Sequence, residues 1–488
     1  MAEANLKSKT IRGLFFKLFE QGGSAIITLV VQIVMARILA PSEFGMLAII
    51  LVFVNVGNVL VQSGLNTAIV QSKNVGEKDF STVFWMSLVV STVLYVAVFV
   101  SAPAVSAFYR MPRVVWPLRV LVLVLIVNAY NSIQEAIVAR DLQFNKTFRA
   151  TITAGIVSGA LGISAALAGF GIWALVVQQI VQQVVKCIAL AKQIPWRPRL
   201  EFDGRRAIVL FRFSWKLLVS GIMDQLYQSL SDLIIGRVFT STDLGYVSQG
   251  KKYPQALGVM LDGAIQPVML SAVSRVQEDV SNVKRLARRG LKTSTYLIVP
   301  SMTLFAILAP QLVRLLLGPK WLPSVPFLQM YCFVYALLPI HTTNLQVLNG
   351  MGRSDLFLKL EVIKKCLGLA IIGFAAFVMR DIYAIVFGSV VVGIVSTFIN
   401  ASPNKRVIGY SYVEQVRDIV PAFAMSAASA VAVWFAASAM PNDVLGILVG
   451  IVVMLVVYVL LSWTFHVEEF AYVVRNLKAV RERKLARK

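Results

Sequence analysis

The sequence is poor in the residues on which soluble enzymes and metalloproteins depend. Its 488 residues include three cysteines and two histidines, and only 15% are Asp, Glu, Lys or Arg. About a quarter charged is usual for a soluble domain, so an ordinary soluble enzyme is excluded. Cys187, Cys332 and Cys366 lie far apart in apolar surroundings. That placement fits packing thiols and argues against a disulfide framework or a ligand set. His341 and His466 have no clustered partners, which argues against a metal site. Carboxylates are scarce relative to cations, 24 against 47, giving a net charge of +23. The opening "MAEANLKSKTIRGLFFKLFEQGG" has no small-residue cleavage site after a short apolar core, so no signal peptide is expected. Leu6, Leu14, Phe15, Leu18 and Phe19 fall on one side of a helix among lysines, which suits an amphipathic lead-in at a membrane surface.

What the chain has in abundance is apolar sequence, 58% of all residues, arranged in runs such as "GILVGIVVMLVVYVLLSW" (446–463). Runs near 18 residues cross about 30 Å of hydrocarbon as a helix. Fourteen spans are expected, centred near residues 28, 55, 94, 126, 159, 182, 227, 259, 304, 336, 369, 392, 427 and 454. With both termini in the cytoplasm, the loops after even-numbered spans and the two tails hold 37 of the 47 Lys and Arg residues. This is the asymmetry of the positive-inside rule, and in a membrane protein it explains the basic balance without nucleic acid. Arg110, Arg113 and Arg119 run against it on the outer side.

A shift of 200 residues exposes a repeat. "ARILAPSEFGML" (36–47) falls on "GRVFTSTDLGYV" (236–247), pairing Arg37 with Arg237, Glu43 with Asp243 and Gly45 with Gly245. "QSGLN" (62–66) falls on "DGAIQ" (262–266) without a gap. The expected organisation is a six-helix lobe over 1–194, a Pro- and charge-rich cytoplasmic linker over 195–206, a second six-helix lobe over 207–404, and an extra C-terminal helix pair with a basic cytoplasmic tail over 405–488. Six is even, so the copies run parallel and are related by a pseudo-twofold axis along the membrane normal, with substrate sites at the repeat interface. The fold class is therefore an all-α membrane protein of fourteen transmembrane helices, its two lobes enclosing a central cavity. The outer loops are too short for a sizeable domain.

The same register disposes of a tempting motif. "GYVSQGKK" (245–252) nearly spells the phosphate-cradling G-x-x-x-x-G-K-[ST], but Lys252 stands where a hydroxyl residue would hold magnesium, and no strand precedes it. No ATP site is expected. Lys251 belongs instead to a polar stripe. Span 1 carries Glu20, Ser24, Thr28 and Gln32; span 7 carries Lys216, Ser220, Asp224, Tyr227, Gln228 and Asp232. Span 2 carries Asn55, Asn58, Gln62 and Asn66; span 8 carries Lys251, Gln255, Asp262 and Gln266. Spacings of three and four put each set on one helical face. A charge at mid-bilayer costs about 2.5–3.5 kcal/mol on insertion scales, so these residues are expected to face a hydrated cavity. The alternative is hydrogen-bonding glue between packed helices, which suits Ser24 and Thr28, and snorkelling, which suits Lys252. Gly155 and Gly159 are expected to permit close helix packing.

"ILAPSEFGMLAIILVFVNVGNVLVQSGLNTAIVQ" (38–71) resembles the first hairpin of bacterial polysaccharide exporters. These are the lipid-linked oligosaccharide flippases of the multidrug/oligosaccharidyl-lipid/polysaccharide superfamily. "EAIVARDLQFNKTF" (135–148) is similar to that family's loop after span 4. The resemblance implies alternating access to a central cationic cavity and a polyprenyl-diphosphate-linked oligosaccharide as substrate. It also implies a bacterial inner-membrane location. Family cavities use basic residues from the first spans of each lobe, and Lys17, Lys216 and Lys251 match by position. Glu20, Asp224 and Asp262 make this cavity less uniformly basic than that scheme.

The reading is a flippase that carries lipid-linked repeat units across the inner membrane for exopolysaccharide, capsule or O-antigen export. It is not an enzyme and needs no cofactor, metal, nucleotide or nucleic acid. A proton or sodium gradient or the membrane potential would drive it, with Asp224, Asp232 or Asp262 as coupling residues. A polysaccharide polymerase or export machinery would be its protein partner. A cation-coupled multidrug antiporter of the same architecture is the alternative. A membrane glycosyltransferase or polymerase fits less well, for want of carboxylates on a substantial outer loop.

Overall fold

The computed structural model describes residue 23, residues 26–62 and residues 76–471, apart from the side chains of Phe213, Lys216 and Ala264. All regular structure among the described residues is helical. The first helices are α1 (Ile26–Ile38), α2 (Pro41–Gln62), α3 (Glu77–Tyr109), α4 (Val115–Leu121) and α5 (Val124–Arg140). They are followed by α6 (Phe144–Leu167), α7 (Ile172–Gln193), α8 (Gly204–Val238) and α9 (Ser241–Arg275). Then come α10 (Val280–Ile307), α11 (Ala309–Leu316), α12 (Val325–Ala336) and α13 (Leu338–Gly350). The last four are α14 (Ser354–Phe374), α15 (Ile382–Ile408), α16 (Tyr412–Ser438) and α17 (Asp443–Thr464).

Each of the fourteen expected centres falls on a helix. Among the described residues eleven stretches are long and apolar enough to cross a bilayer, or twelve when α10 and α11, bent by 64° about Leu308, count as one. The remaining two centres lie on α1, which is short over its described residues, and on α8. Asp224, Gln225, Gln228 and Asp232 interrupt the apolar sequence of α8. This is an all-α, multi-pass membrane protein.

Local chemistry sets many of the helix ends. The Asp203 carboxylate accepts from the backbone N–H of Arg205 and Arg206, which starts α8. Ser411 and Glu414 form a reciprocal cap at α16. Thr240 and Asp243 do the same at α9, the Thr240 hydroxyl donating to Asp243 Oδ2 at 2.7 Å. Residues 245–252, the near match to a phosphate loop, lie inside α9 and form no loop.

The chain divides into two compact units, Met1–Ser248 and Gln249–Lys488, with the boundary inside α9. In the first unit α2 packs on α3, α5 and α8, and α6 pairs with α7. Ile27 and Val31 of α1 seat on Gly155 and Gly159 of α6, where an added Cβ would lie 3.0 and 2.4 Å from their methyl groups. The segment after α7 is tied down. Trp196 packs among Phe80, Phe84 and Tyr130, stacking on Tyr130 at 5.8 Å between centroids. Trp85 Nε1 donates to the Arg199 carbonyl at 2.8 Å, and the backbone N–H groups of Arg199 and Asp203 donate to Ser81 and Thr82. Of the arginines expected on the outer side, Arg119 lies over the rings of Phe99 and Trp116 and donates to the Phe99 carbonyl at 3.0 Å.

One contact in this unit has the symmetry of the sequence repeat. A methyl group on Gly45 would lie 1.7 Å from the Ser241 carbonyl oxygen, and one on Gly245 would lie 2.0 Å from the Pro41 carbonyl oxygen. Pro41 and Ser241, like Gly45 and Gly245, are 200 residues apart. The first turns of α2 and α9 therefore cross backbone to backbone, each supplying the same two positions, as a twofold contact requires.

In the second unit the pair α16–α17 packs on α10 and α11. The Tyr296 hydroxyl donates to Ser462 at 2.9 Å, and the Tyr458 hydroxyl donates to the Tyr296 carbonyl at 3.0 Å. Three buried amides join α13, α15 and α16. Asn344 Nδ2 donates to Gln415 Oε1 at 2.8 Å, Gln415 Nε2 donates back to Asn344 Oδ1 at 3.0 Å, and Asn404 Nδ2 donates to the same Asn344 oxygen.

Candidate functional site

The expected site residues sort by unit. Lys17, Glu20, Ser24 and Asn66 lie outside the described residues, as does the side chain of Lys216, whose backbone belongs to α8. In the first unit Asn55 is exposed, while Asn58 and Gln62 are half-buried on α2. Asp224, Tyr227, Gln228 and Asp232 follow one face of α8, and Asp232 has a buried carboxylate oxygen with no hydrogen-bond partner among the described residues. In the second unit Lys251 and Gln255 are half-buried on α9, and Asp262, 7% exposed, is buried deeper. Asp262 lies beside Thr342 of α13, and its Oδ1 has no hydrogen-bond partner among the described residues.

The structure adds residues that the stripes on the first two spans of each repeat did not reveal. Asn58 of α2 accepts from Asn128 Nδ2 of α5 at 2.8 Å. One turn along α5, Asn131 donates to the Gln183 carbonyl of α7 at 3.2 Å. One turn further, Glu135 meets Lys186 of α7 at 2.6 Å. Asn128, Asn131 and Glu135 are spaced by three and four, so they lie along one edge of α5. Together they form a continuous polar seam through helices that are otherwise apolar. The charge pair retains partial access, 37% for Glu135 and 21% for Lys186. Gln178, Gln182 and Lys186 recur every four residues on α7, a stripe as regular as those on α2 and α8.

In the second unit polar side chains likewise join α13 and α15. His341 and Asn400 lie 3.0 Å apart, and Asn344 bonds with Asn404 one turn on. Lys364 of α14, paired with Glu361, acts electrostatically on His341. His341 thus has polar partners, none of them a metal cluster: no group of three or more His, Cys, Asp or Glu residues able to hold an ion occurs among the described residues.

Polar seams of amides bracketed by charged side chains are suited to binding a hydrophilic group inside a membrane. Amides donate to and accept from hydroxyls, lysines draw phosphate oxygens, and an unpartnered carboxylate oxygen can take up a cation. They supply no nucleophile poised beside a base.

Comparison with known proteins agrees with this chemistry. Residues 34–326, well over half of the chain, match a family of polysaccharide biosynthesis proteins. The chain is 23% identical to the succinoglycan biosynthesis transport protein ExoT of Rhizobium meliloti over 349 residues, 71% of each protein. It is 23% identical to the lipopolysaccharide biosynthesis protein WzxC of Escherichia coli over 437 residues, 86% of each. In fold it is similar to the lipid II flippase MurJ in an inward closed conformation, with a TM-score of 0.78 at 12% identity, covering 93% of this chain and 99% of that one. An inward-facing multidrug transporter of the MATE family is more distant, with a TM-score of 0.61 at 14% identity over 79% of this chain and 95% of that one. A multi-pass helical membrane protein with polar seams through its apolar helices, the chain belongs to the family of polysaccharide biosynthesis proteins.

Proposed function

We propose that the protein is a flippase that carries lipid-linked oligosaccharide repeat units from the cytoplasmic to the outer leaflet of the bacterial inner membrane, by alternating access. The observation that carries this reading is the seam Asn58–Asn128–Asn131–Glu135–Lys186, a run of hydroxyl- and phosphate-binding groups inside apolar helices. The names of the relatives point the same way, toward transport of succinoglycan and biosynthesis of lipopolysaccharide. On this reading the glycan head group occupies the polar interior while its polyprenyl tail stays in hydrocarbon. Lys216, Lys251 and Lys186 attract the diphosphate, and Asn55, Asn58, Gln62, Tyr227, Gln228 and Gln255 bind sugar hydroxyls.

The remaining parts of the proposal follow from it. Fourteen helices, as lobes 1–194 and 207–404 with an added pair after 405, put both termini in the cytoplasm. An ion gradient or the membrane potential drives the cycle, since one charge moved through 100 mV is worth about 2.3 kcal/mol. Asp262 and Asp232, each with a carboxylate oxygen lacking a partner among the described residues, are the coupling candidates, with Asp224 third.

The test is complementation in a strain lacking its polysaccharide exporter, with the position of the accumulated lipid-linked sugar measured on each side of the inner membrane. Restored polymer export and an outer-leaflet intermediate are expected. Drug resistance without restored export would favour the antiporter reading and overturn this one.

A further inference from the structure

A second polar feature lies away from the seams, where α10 begins, α16 begins and α17 ends. Six cations gather there: Lys284, Arg285, Arg288, Arg289 and Lys292 on α10, and Arg417 on α16. Four carboxylates face them. Asp418 receives Arg288 through two bonds of 2.7 and 2.8 Å and is also bound by the Tyr410 hydroxyl. Glu414 takes Lys284 at 2.9 Å, and Lys292 lies 3.3 and 3.6 Å from Glu468 and Glu469. The cluster is net positive by two. Arg417 is exposed and has no carboxylate partner among the described residues, Arg285 bonds to the neutral Asn282, and Arg289 lines the same hollow as Arg285.

These charges rim two adjoining hollows that share Lys292, Glu468 and Glu469. One, of about 460 Å³, is lined mostly by cations of α10. The other, of about 610 Å³, runs between α16 and α17 with walls of Pro421, Ala424, Met425, Ala428, Leu461 and Phe465. Pro421, Ala424 and Ala428 are spaced by three and four, so their small side chains leave a furrow along one face of α16. Phe465, 72% exposed, stands at its mouth. A cationic pocket that opens into an apolar furrow parallel to membrane helices matches a molecule with an anionic head and a hydrocarbon tail. The positive-inside asymmetry puts this end of the helices at the cytoplasmic leaflet, where such molecules are the bilayer's own lipids.

We propose that the α10–α16–α17 corner is a binding site for an anionic phospholipid of the cytoplasmic leaflet, its phosphate held by Arg285, Arg289 and Arg417 and one acyl chain lying along Pro421, Ala424 and Ala428. Arg288 and Lys292 are spoken for by carboxylates and hold the corner together. The site is separate from the transport seams and needs only that the protein spans a membrane.

The full-length protein is placed in nanodiscs of phosphatidylcholine, or of phosphatidylcholine mixed with an equal amount of phosphatidylglycerol, and lipid retained after detergent extraction is counted by mass spectrometry. Phosphatidylglycerol is expected to be retained in preference to phosphatidylcholine. Each arginine near a charged surface contributes about fivefold, so Arg285→Ala/Arg289→Ala/Arg417→Ala should weaken retention on the order of a hundredfold. The matching triple change to lysine should keep most of it. Ala424→Leu/Ala428→Leu fills the furrow without touching the charges, and it should also release the lipid. Equal retention of the two lipids by the parent protein, or undiminished phosphatidylglycerol on both the alanine triple and the leucine double variant, overturns the proposal. So does displacement of the lipid by inorganic phosphate alone, which would make the corner a soluble-anion site.

Discussion

The crossing of α2 and α9 offers a severe test, because a single methyl group should act on it. At Gly45→Ala the new Cβ would lie 1.7 Å from the Ser241 carbonyl oxygen, where ordinary contact begins at 3.4 Å, so the two helices must separate by about as much again. Overpacking of this kind costs ~1–3 kcal/mol. Alanine also gains about 1 kcal/mol over glycine in a helix interior, which must be subtracted. Gly263→Ala supplies that correction, since Gly263 lies in the same helix as Gly245 with nothing within 4 Å of its missing Cβ. Relative to Gly263→Ala, Gly245→Ala should therefore shift the closed crossing toward an open one by roughly 5-fold to over 100-fold, at 1.4 kcal/mol per decade. Hydrogen–deuterium exchange of the first turns of α2 and α9 reads this directly, because amides there exchange faster in proportion to the open population. The reciprocal geometry adds a sharper demand. Once one methyl has pushed the helices apart, the second finds room, so Gly45→Ala/Gly245→Ala should cost clearly less than the two single changes together. Full additivity, or exchange no faster than in Gly263→Ala, would refute a crossing at backbone contact.

Three further outcomes are expected. Lys186→Met should lower polymer export at least tenfold by stranding Glu135, and Lys186→Met/Glu135→Gln should restore membrane yield but not export; equal export by all variants, measured in the complemented strain, counts against the seam. Asp262→Asn should abolish any dependence of export on an imposed ion gradient in inverted vesicles, whereas Thr342→Val should only weaken it, and a gradient response surviving Asp262→Asn excludes that residue from coupling. Asn344→Ala leaves Gln415 Oε1 unpaired and strips Asn404 and Gln415 of their shorter bonds, a buried unpaired group costing about 1–3 kcal/mol, and should lower the thermal midpoint of the purified protein by several degrees; an unchanged midpoint would mean water replaces the lost bonds.

What could be read from the sequence was whatever is periodic along the chain. Most helical positions follow from apolar runs, and the 200-residue register pairs Gly45 with Gly245, the two residues that meet at the crossing. The close packing expected at Gly155 and Gly159 is present because Ile27 and Val31 fill the space of the absent side chains. What escaped was pairing between helices far apart in sequence. Glu135 and Lys186 are 51 positions apart, and Asn344 and Gln415 are 71 apart, so only the packing of α5 on α7 and α13 on α16 brings them together. The stripe Gln178, Gln182 and Lys186 on α7 is periodic in the sequence, but its partners on α5 are not marked there. Asp243, which the register pairs with Glu43, completes the cap that starts α9.

The linked amides on α13, α15 and α16 carry an implication for how this protein can change over generations. Asn344 gives to Gln415 and receives from both Gln415 and Asn404, so no apolar replacement at that position alone keeps those bonds. Where solvent cannot step in, drift at one of the three sites is tolerated only if the others follow. Positions 344, 404 and 415 should therefore vary as a linked triplet among relatives, all amide or all apolar, with mixed combinations rare.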